Sequence, residues 1–173
     1  NLWSGFAAEK MEGGVGRGRK LDADVRTGLI CLLEHINMLC DGNAAQYCFI
    51  LNILAHAVQY PNVKLGIMPC LVGKQGCGKT CVWDMIERVV GKRACFSTMK
   101  PDKDVWGDNN DNMRTAFMVR IVEGSKKQFG AGVMGKVRNL ITDPKIRVRS
   151  LYCPAANVRS YARFFLDTDQ WDA

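Results

Sequence analysis

The sequence contains few of the residue patterns from which metal centres and disulfide frameworks are built. It holds only two histidines, His35 and His56, and its eight cysteines include no C-x-x-C pair. That spacing is shared by many zinc sites and redox-active dithiols. We therefore expect the cysteines to be small apolar thiols in a reducing compartment, and we expect no metal cluster.

Long apolar runs are also absent. No stretch approaches the roughly 20 residues that span a bilayer. The N-terminus lacks the charged-then-apolar pattern of a signal peptide and begins with Asn1 rather than Met. We expect an intracellular protein without a membrane segment, and a piece of a longer chain. The 173 residues fit one domain with a sizeable core.

Acidic residues are scarce in the second half of the chain. The net charge is +7, and residues 112–163 hold eleven Lys and Arg against two acids, Glu123 and Asp143. A basic half beside a slightly acidic remainder favours a polyanionic partner, usually nucleic acid. Charge alone fits a solvated surface equally well.

Hydrophobic periodicity predicts an α/β protein. Apolar residues recur at helical spacing over 25–40 and 44–59. The predicted strands are 67–72, 93–98, 115–123, 145–152 and 161–169, and further helices are predicted over 82–90 and 133–141. Strands that alternate with helices indicate a parallel sheet flanked by helices, here with a short N-terminal helical segment. We expect residues 1–60 to lead into a core of residues 61–173, within a single domain.

The stretch "GKQGCGKT" fits the phosphate-loop pattern G-x-x-x-x-G-K-[ST] at every fixed position. Glycines let successive amides point at phosphate oxygens, and the following helix presents free N–H groups to the same anion. Lys79 supplies a mobile charge for the phosphates, and Thr80 supplies a hydroxyl for Mg²⁺. We expect ATP and Mg²⁺ to bind here, with contacts from Gly73, Lys74, Gln75, Gly76, Cys77, Gly78, Lys79, Thr80 and Cys81.

Hydrolysis of a bound triphosphate also needs an acid near the metal and a group that orients water. The predicted strand "AFMVRIVE" ends in Glu123, the natural place for such an acid. A solvated strand-end glutamate is the alternative. Arg120, inside the same apolar strand, is unusual for a buried element.

Several segments together resemble the superfamily 3 helicases of viral and phage primase–helicases. They are "NLWSGF", the run from Asn52 to Thr80, "LITDPKIRV" and "YARFFLDTD". The resemblance implies an AAA+-like P-loop NTPase, usually a hexameric ring, that hydrolyses ATP to translocate on single-stranded DNA, with a fused or associated primase in some members. Lys79 would then be catalytic, and Glu123 would ligate Mg²⁺ with Thr80 and polarise the attacking water. The implied DNA contacts are Lys126, Lys127, Lys145, Arg147 and Arg149.

The chain departs from this family at three places. Val122 stands where a second acid is usual, and Asp169 stands where an asparagine normally contacts the γ-phosphate. Asp169 is therefore a candidate for the missing acid. The family's arginine finger would lie beyond Ala173, so we expect little turnover from this chain alone. A degenerate paralogue that binds ATP and DNA but hydrolyses weakly is the alternative to an active helicase module.

Overall fold

The structure, a computed structural model, describes residues 22–122 and 129–169, except for the side chain of Ala131. The helices are α1 (Ala23–Leu39), α2 (Ala44–Gln59), α3 (Lys79–Val90), α4 (Pro101–Asp104) and α5 (Ala131–Thr142). The strands are β1 (Cys70–Val72), β2 (Cys95–Thr98), β3 (Met118–Val122), β4 (Lys145–Val148), β5 (Ala156–Arg159) and β6 (Arg163–Thr168).

Four strands form a parallel sheet in the order β1-β6-β3-β2. The last strand of the chain thus lies between β1 and β3, where it pairs with both, and Asp167 is in register with Leu71 on one side and Val122 on the other. All six residues of β6 are buried, because helices and loops cover both faces of a parallel sheet. The predicted parallel α/β sheet flanked by helices is confirmed.

Each face of the sheet carries its own apolar core. One core joins α1, α2 and α3 to the sheet through Ile36, Ile53, Trp83, Ile86 and Phe165. The other joins α5, β4 and the connection between β2 and β3 through Val105, Val119, Ile121, Val137 and Ile146.

Helix boundaries follow local chemistry that the sequence displays. Oδ1 of Asn43 accepts from the backbone N–H groups of Ala45 at 3.0 Å and Gln46 at 3.1 Å, which caps the first turn of α2. Gly91, with φ of 104°, follows the last residue of α3 in a conformation that glycine adopts most readily. Both ends agree with the predicted positions.

The structure differs from the predicted elements in three places. Strand β1 has only three residues, and Pro69 precedes it. The connection after β2, for which no element was predicted, contains α4 and buries Val105 completely. Strand β5 was not predicted, because residues 156–159 lack a continuous apolar run. Within the described ranges, no helix has the length and apolarity that a bilayer crossing requires.

Candidate functional site

A glycine loop, residues 73–78, connects the end of β1 to the first turn of α3. Gly76 has φ of 83° and Gly78 has φ of 96°, the left-handed region in which glycine is favoured. The N–H of Gly73 donates to the carbonyl of Thr168 at 3.1 Å, which ties the loop to the end of β6. The loop therefore lies at the carboxyl edge of the sheet, where open α/β folds bind ligands.

Lys79, the first residue of α3, turns its ammonium group back over this loop. Its Nζ donates to the carbonyl of Gly73 at 2.5 Å and to that of Lys74 at 3.2 Å, and lies 3.6 Å from Sγ of Cys77. The first turn of a helix also carries free N–H groups and the positive end of its dipole. The loop, the ammonium group and the helix end together favour a polyanion.

Helix α1 contacts the end of the glycine loop through a histidine. Nε2 of His35 lies 3.0 Å from the carbonyl oxygen of Gly78. A Cβ atom at Gly78 would stand 2.6 Å from the same nitrogen, so the close approach depends on glycine. His35 was not among the predicted site residues, because 43 positions separate the pair and no local pattern links them.

A buried ion pair lies beneath the first turn of α3. Oδ2 of Asp167 accepts from Arg120 Nε at 2.8 Å and lies 2.6 Å from Nη2. The same Nη2 donates to Oγ1 of Thr80 at 3.0 Å, and the guanidinium carbon is 5.8 Å from the centre of the Trp83 ring. The Arg120 and Asp167 side chains are 10% and 5% exposed.

This pair accounts for the unusual arginine in β3. Arg120 and Asp167 each interrupt an apolar strand, and the two strands are neighbours in the sheet. Asp167 was missed as a site residue. Opposite charges in two separate apolar runs, "MVRIV" and "FFLDT", were the available signal, since a buried charge requires a partner.

Of the other predicted site residues, the structure describes Asp169 but not Glu123, Lys126 or Lys127. Asp169 is exposed and directly follows β6, one residue beyond the Thr168 carbonyl that holds Gly73. Glu123 lies outside the described residues, immediately after the last residue of β3. Lys126 and Lys127 also lie outside them. The roles of these residues remain predictions.

The predicted basic segment forms a two-stranded antiparallel sheet, β4 paired with β5. We call residues 145–159 the basic hairpin. Lys145 is in register with Arg159, and Arg147 with Asn157. These four side chains and Arg149 are exposed, whereas Ile146 and Val148 are buried in the core. At its tip, Tyr152 is 97% exposed.

Asn110 fixes this hairpin to the connection between β2 and β3. Its Nδ2 donates to the carbonyls of Arg147 at 3.1 Å and Val105 at 3.2 Å. Its Oδ1 accepts from the N–H of Arg149 at 3.0 Å. The Asn110 side chain is buried, so it replaces a missing strand partner for β4.

The base of the hairpin and the glycine loop lie at opposite ends of β6: Arg159, paired with Lys145, shortly precedes this strand, whereas Gly73 bonds to its last residue, Thr168. Lys64, six residues before β1, contacts the chain just before the hairpin. Its Nζ donates to the carbonyls of Leu140 and Asp143 at 2.7 Å each. Desolvation lowers the pKa of Lys64 to about 8, and the nearby Asp143 carboxylate opposes this shift. The structure therefore does not bring Lys145, Arg147 and Arg149 together with residues 73–80.

Comparisons with solved structures identify relatives of this fold. The apo structure of the NrS-1 C-terminal region (305–718) matches with a TM-score of 0.67 and 18% identity over 79% of this chain and 33% of that chain. An A-form apo structure of the same region matches with a TM-score of 0.64 and 19% identity, over 78% of this chain and 31% of that one. The chain thus spans about a third of the length of these neighbours.

Comparisons at the level of sequence give a family match but no similar curated protein. None of the curated proteins is significantly similar to this chain. One family model, described as "Family of unknown function (DUF5906)", matches residues 71–171, from the end of β1 past the end of β6. This match covers more than half of the sequence and includes the glycine loop and the basic hairpin, so the chain belongs to the DUF5906 family.

Proposed function

We propose that this chain is a P-loop ATPase module that binds Mg·ATP at the glycine loop and nucleic acid at the basic hairpin. The observation that carries the proposal is the glycine loop at the carboxyl edge of the parallel sheet, with Lys79 and Thr80 in the first turn of α3. The resemblance to superfamily 3 helicases supports the finer statement that ATP hydrolysis drives movement along single-stranded DNA.

The triphosphate would contact the loop backbone and the ammonium group of Lys79. That group now donates to the carbonyls of Gly73 and Lys74, and a flexible lysine side chain can exchange such contacts for phosphate oxygens. Sγ of Cys77 would lie 3.0 Å from a Cβ at Gly73, so the first glycine of the loop leaves room that a larger residue would fill.

The residues near the loop also fit a hydrated Mg²⁺ ion. This ion usually takes one or two protein oxygens and completes its shell with water and phosphate. Thr80 Oγ1 is such an oxygen, and Glu123 is expected to be another. When bound, Mg²⁺ neutralises charge on the phosphate oxygens during phosphoryl transfer.

Glu123 is the candidate for orienting the attacking water, because it directly follows the buried strand β3 at the carboxyl edge. Asp169 reaches the same edge from β6. As a carboxylate near the γ-phosphate it would repel the nucleotide unless a proton or a metal ion neutralised it. We therefore propose that Asp169 supplies a second acid near the metal. It would replace the acid that superfamily 3 helicases have at the position of Val122.

The basic hairpin is the proposed surface for single-stranded DNA, together with Lys126 and Lys127. Non-specific strand binding combines positive charge along the backbone with aromatic stacking. The exposed side chains of Lys145, Arg147 and Arg149 supply the charge, and the almost fully exposed ring of Tyr152 can supply the stacking platform. A hexameric ring and a primase partner are implied by the family resemblance alone.

Nucleotide binding and turnover test this proposal. We expect the protein to bind ATP, and we expect Lys79→Ala to weaken binding by at least tenfold, because it removes a charged contact worth about 1.5–3 kcal/mol. Lys92→Ala, an exposed lysine beyond α3, is the matched control. Binding that is equal in Lys79→Ala and Lys92→Ala would contradict the proposal.

A degenerate module that binds ATP but hydrolyses it poorly is the second candidate. The observation that favours it lies at the ends of two strands: Val122 ends β3 where superfamily 3 helicases have an acid, and the exposed Asp169 follows β6 where they have an amide. DNA-stimulated turnover by the full-length protein separates the candidates. Turnover equal to that of Lys79→Ala favours the degenerate module.

A further inference from the structure

We infer that Arg120 and Asp167 form a positioning pair that orients the Thr80 hydroxyl for magnesium-bound nucleotide. The inference rests on the proposed ATP site. It assigns to Arg120 and Asp167 a role that acts through Thr80, without contact to the nucleotide.

The orientation of the Thr80 hydroxyl is not determined by its helix alone. Thr80 is the second residue of α3, so no earlier helical turn supplies the carbonyl to which a threonine hydroxyl inside a helix can bond. The 3.0 Å hydrogen bond from Arg120 Nη2 instead holds this oxygen toward β3, the strand that carries Arg120. A hydroxyl oxygen has two lone pairs, so one accepts from Arg120 while the second stays available to a cation.

Asp167 makes a cation acceptable at this position. An unpaired guanidinium group close to the metal site would repel a divalent ion, because charges interact strongly in a poorly hydrated interior. Oδ2 of Asp167 accepts from Nε and lies within ion-pair distance of Nη2, which neutralises the arginine. Asp167 lies on β6 in register with Val122 of β3. The neighbouring strand therefore carries a negative charge beside the position at which β3 has valine in place of an acid.

The arginine cannot be exchanged for a generic cation. Its planar fork has several donors in fixed directions, and here Nε bonds to Asp167 while Nη2 bridges Asp167 and Thr80. The guanidinium carbon also lies over the face of the Trp83 ring, 5.8 Å from its centroid, a cation–π contact that favours the same placement. A lysine would retain the charge but would reach one of the two partners at a time.

The experiment compares the affinity for ATP in Mg²⁺ with that in EDTA, using the protein and a double variant, Arg120→Met with Asp167→Asn. The double variant removes both charges and avoids an unpaired buried ion. We expect the ratio of ATP affinity in Mg²⁺ to that in EDTA to be about tenfold smaller in the double variant than in wild type. A loss of this size is typical when a residue that orients a metal ligand is removed. Affinity in EDTA should change less than about twofold, because Lys79 and the loop backbone are untouched.

Two further variants keep the test decisive. Arg120→Lys preserves the buried charge pair and should fold even if the double variant does not, yet it should lose part of the same gain. Thr80→Val should remove most of the gain in the wild-type protein and little more in the double variant, because residues that act through one group are not additive. A purely structural role would instead lower affinity equally in Mg²⁺ and EDTA.

The inference would be overturned by a Mg²⁺-dependent gain that stays within about twofold of wild type in both Arg120→Lys and the double variant. It would also be overturned by an undiminished effect of Thr80→Val in the double variant. These outcomes differ from failure of the proposed function, in which wild-type protein and Lys79→Ala would bind ATP equally poorly.

Discussion

Nε2 of His35 lies 3.0 Å from the carbonyl oxygen of Gly78, so helix α1 contacts the glycine loop at the residue that immediately precedes α3. Gly78 meets two constraints there. Its φ of 96° is strained for any residue with a side chain, and a Cβ atom would stand 2.6 Å from the histidine ring nitrogen. The other positive-φ glycine of the loop, Gly76, has φ of 83° and open space around its Cβ position.

This contrast makes Gly78→Ala a sharp test of the contact with α1. We expect Gly76→Ala to lower the free energy of unfolding by the conformational cost alone, about 1–2 kcal/mol. Gly78→Ala should cost more, because the histidine ring must also move. His35→Ala in the Gly78→Ala background should recover only the steric part. Denaturant unfolding measures all three, and equal costs for the two glycine substitutions would contradict the contact.

The sequence predicted the elements whose patterns are local. Helix α2 has the predicted bounds because Asn43 caps its start and helical periodicity continues to Gln59. The buried strand β3 and the end of α3 at Val90 were predictable for similar reasons. Strand order was not predictable in this way, since a strand from residues 163–168 lies between two that are earlier in the chain.

The same distinction between local pattern and long-range packing applies to the candidate site. The glycine loop, Lys79 and Thr80 are contiguous and were identified from spacing alone. The contacts that surround them join distant segments: Arg120 to Asp167 across two strands, and His35 to Gly78 across two helices. No single-sequence pattern pairs such positions, because the pairing depends on how the elements pack.

Partial burial of Cys95 predicts a thiol of low reactivity. Desolvation raises the pKa of its thiol to about 12, and the nearby Glu87 carboxylate adds to the shift. Because the thiolate is the nucleophile, we expect Cys95 to resist iodoacetamide at about pH 8, whereas the exposed Cys48 on α2 should react readily. Peptide mapping by mass spectrometry measures both, and denatured protein is the control. Equal labelling in the native state would contradict the burial of Cys95.

Asn110 should control the basic hairpin through its amide group. Asn110→Asp replaces the Nδ2 donor with an oxygen that faces the carbonyls of Val105 and Arg147. We expect the free energy of unfolding to fall by about 1–3 kcal/mol, the cost of leaving buried polar groups unpaired. Single-strand DNA binding should weaken while ATP affinity is retained, because the Asn110 side chain bonds the hairpin and Val105 and not the glycine loop.

Asn109→Asp is the matched control for this substitution, since it introduces the same charge at an exposed neighbour. Thermal unfolding and DNA titration on both variants separate the amide contact from the charge. Indistinguishable stability and DNA affinity in the two variants would show that Asn110 does not fix the hairpin.

The salt dependence of DNA binding tests the basic hairpin directly. Lys145→Glu with Arg147→Glu should weaken binding to single-stranded DNA and flatten the plot of log affinity against log salt by about 0.7 for each phosphate that is no longer neutralised. Lys92→Glu with Arg93→Glu changes the net charge equally at exposed positions after α3 and should leave the slope close to wild type. Both pairs are exposed, so a loss of folding does not explain a difference. If the two double variants shift affinity and slope alike, DNA responds to overall charge and the hairpin is not its binding surface.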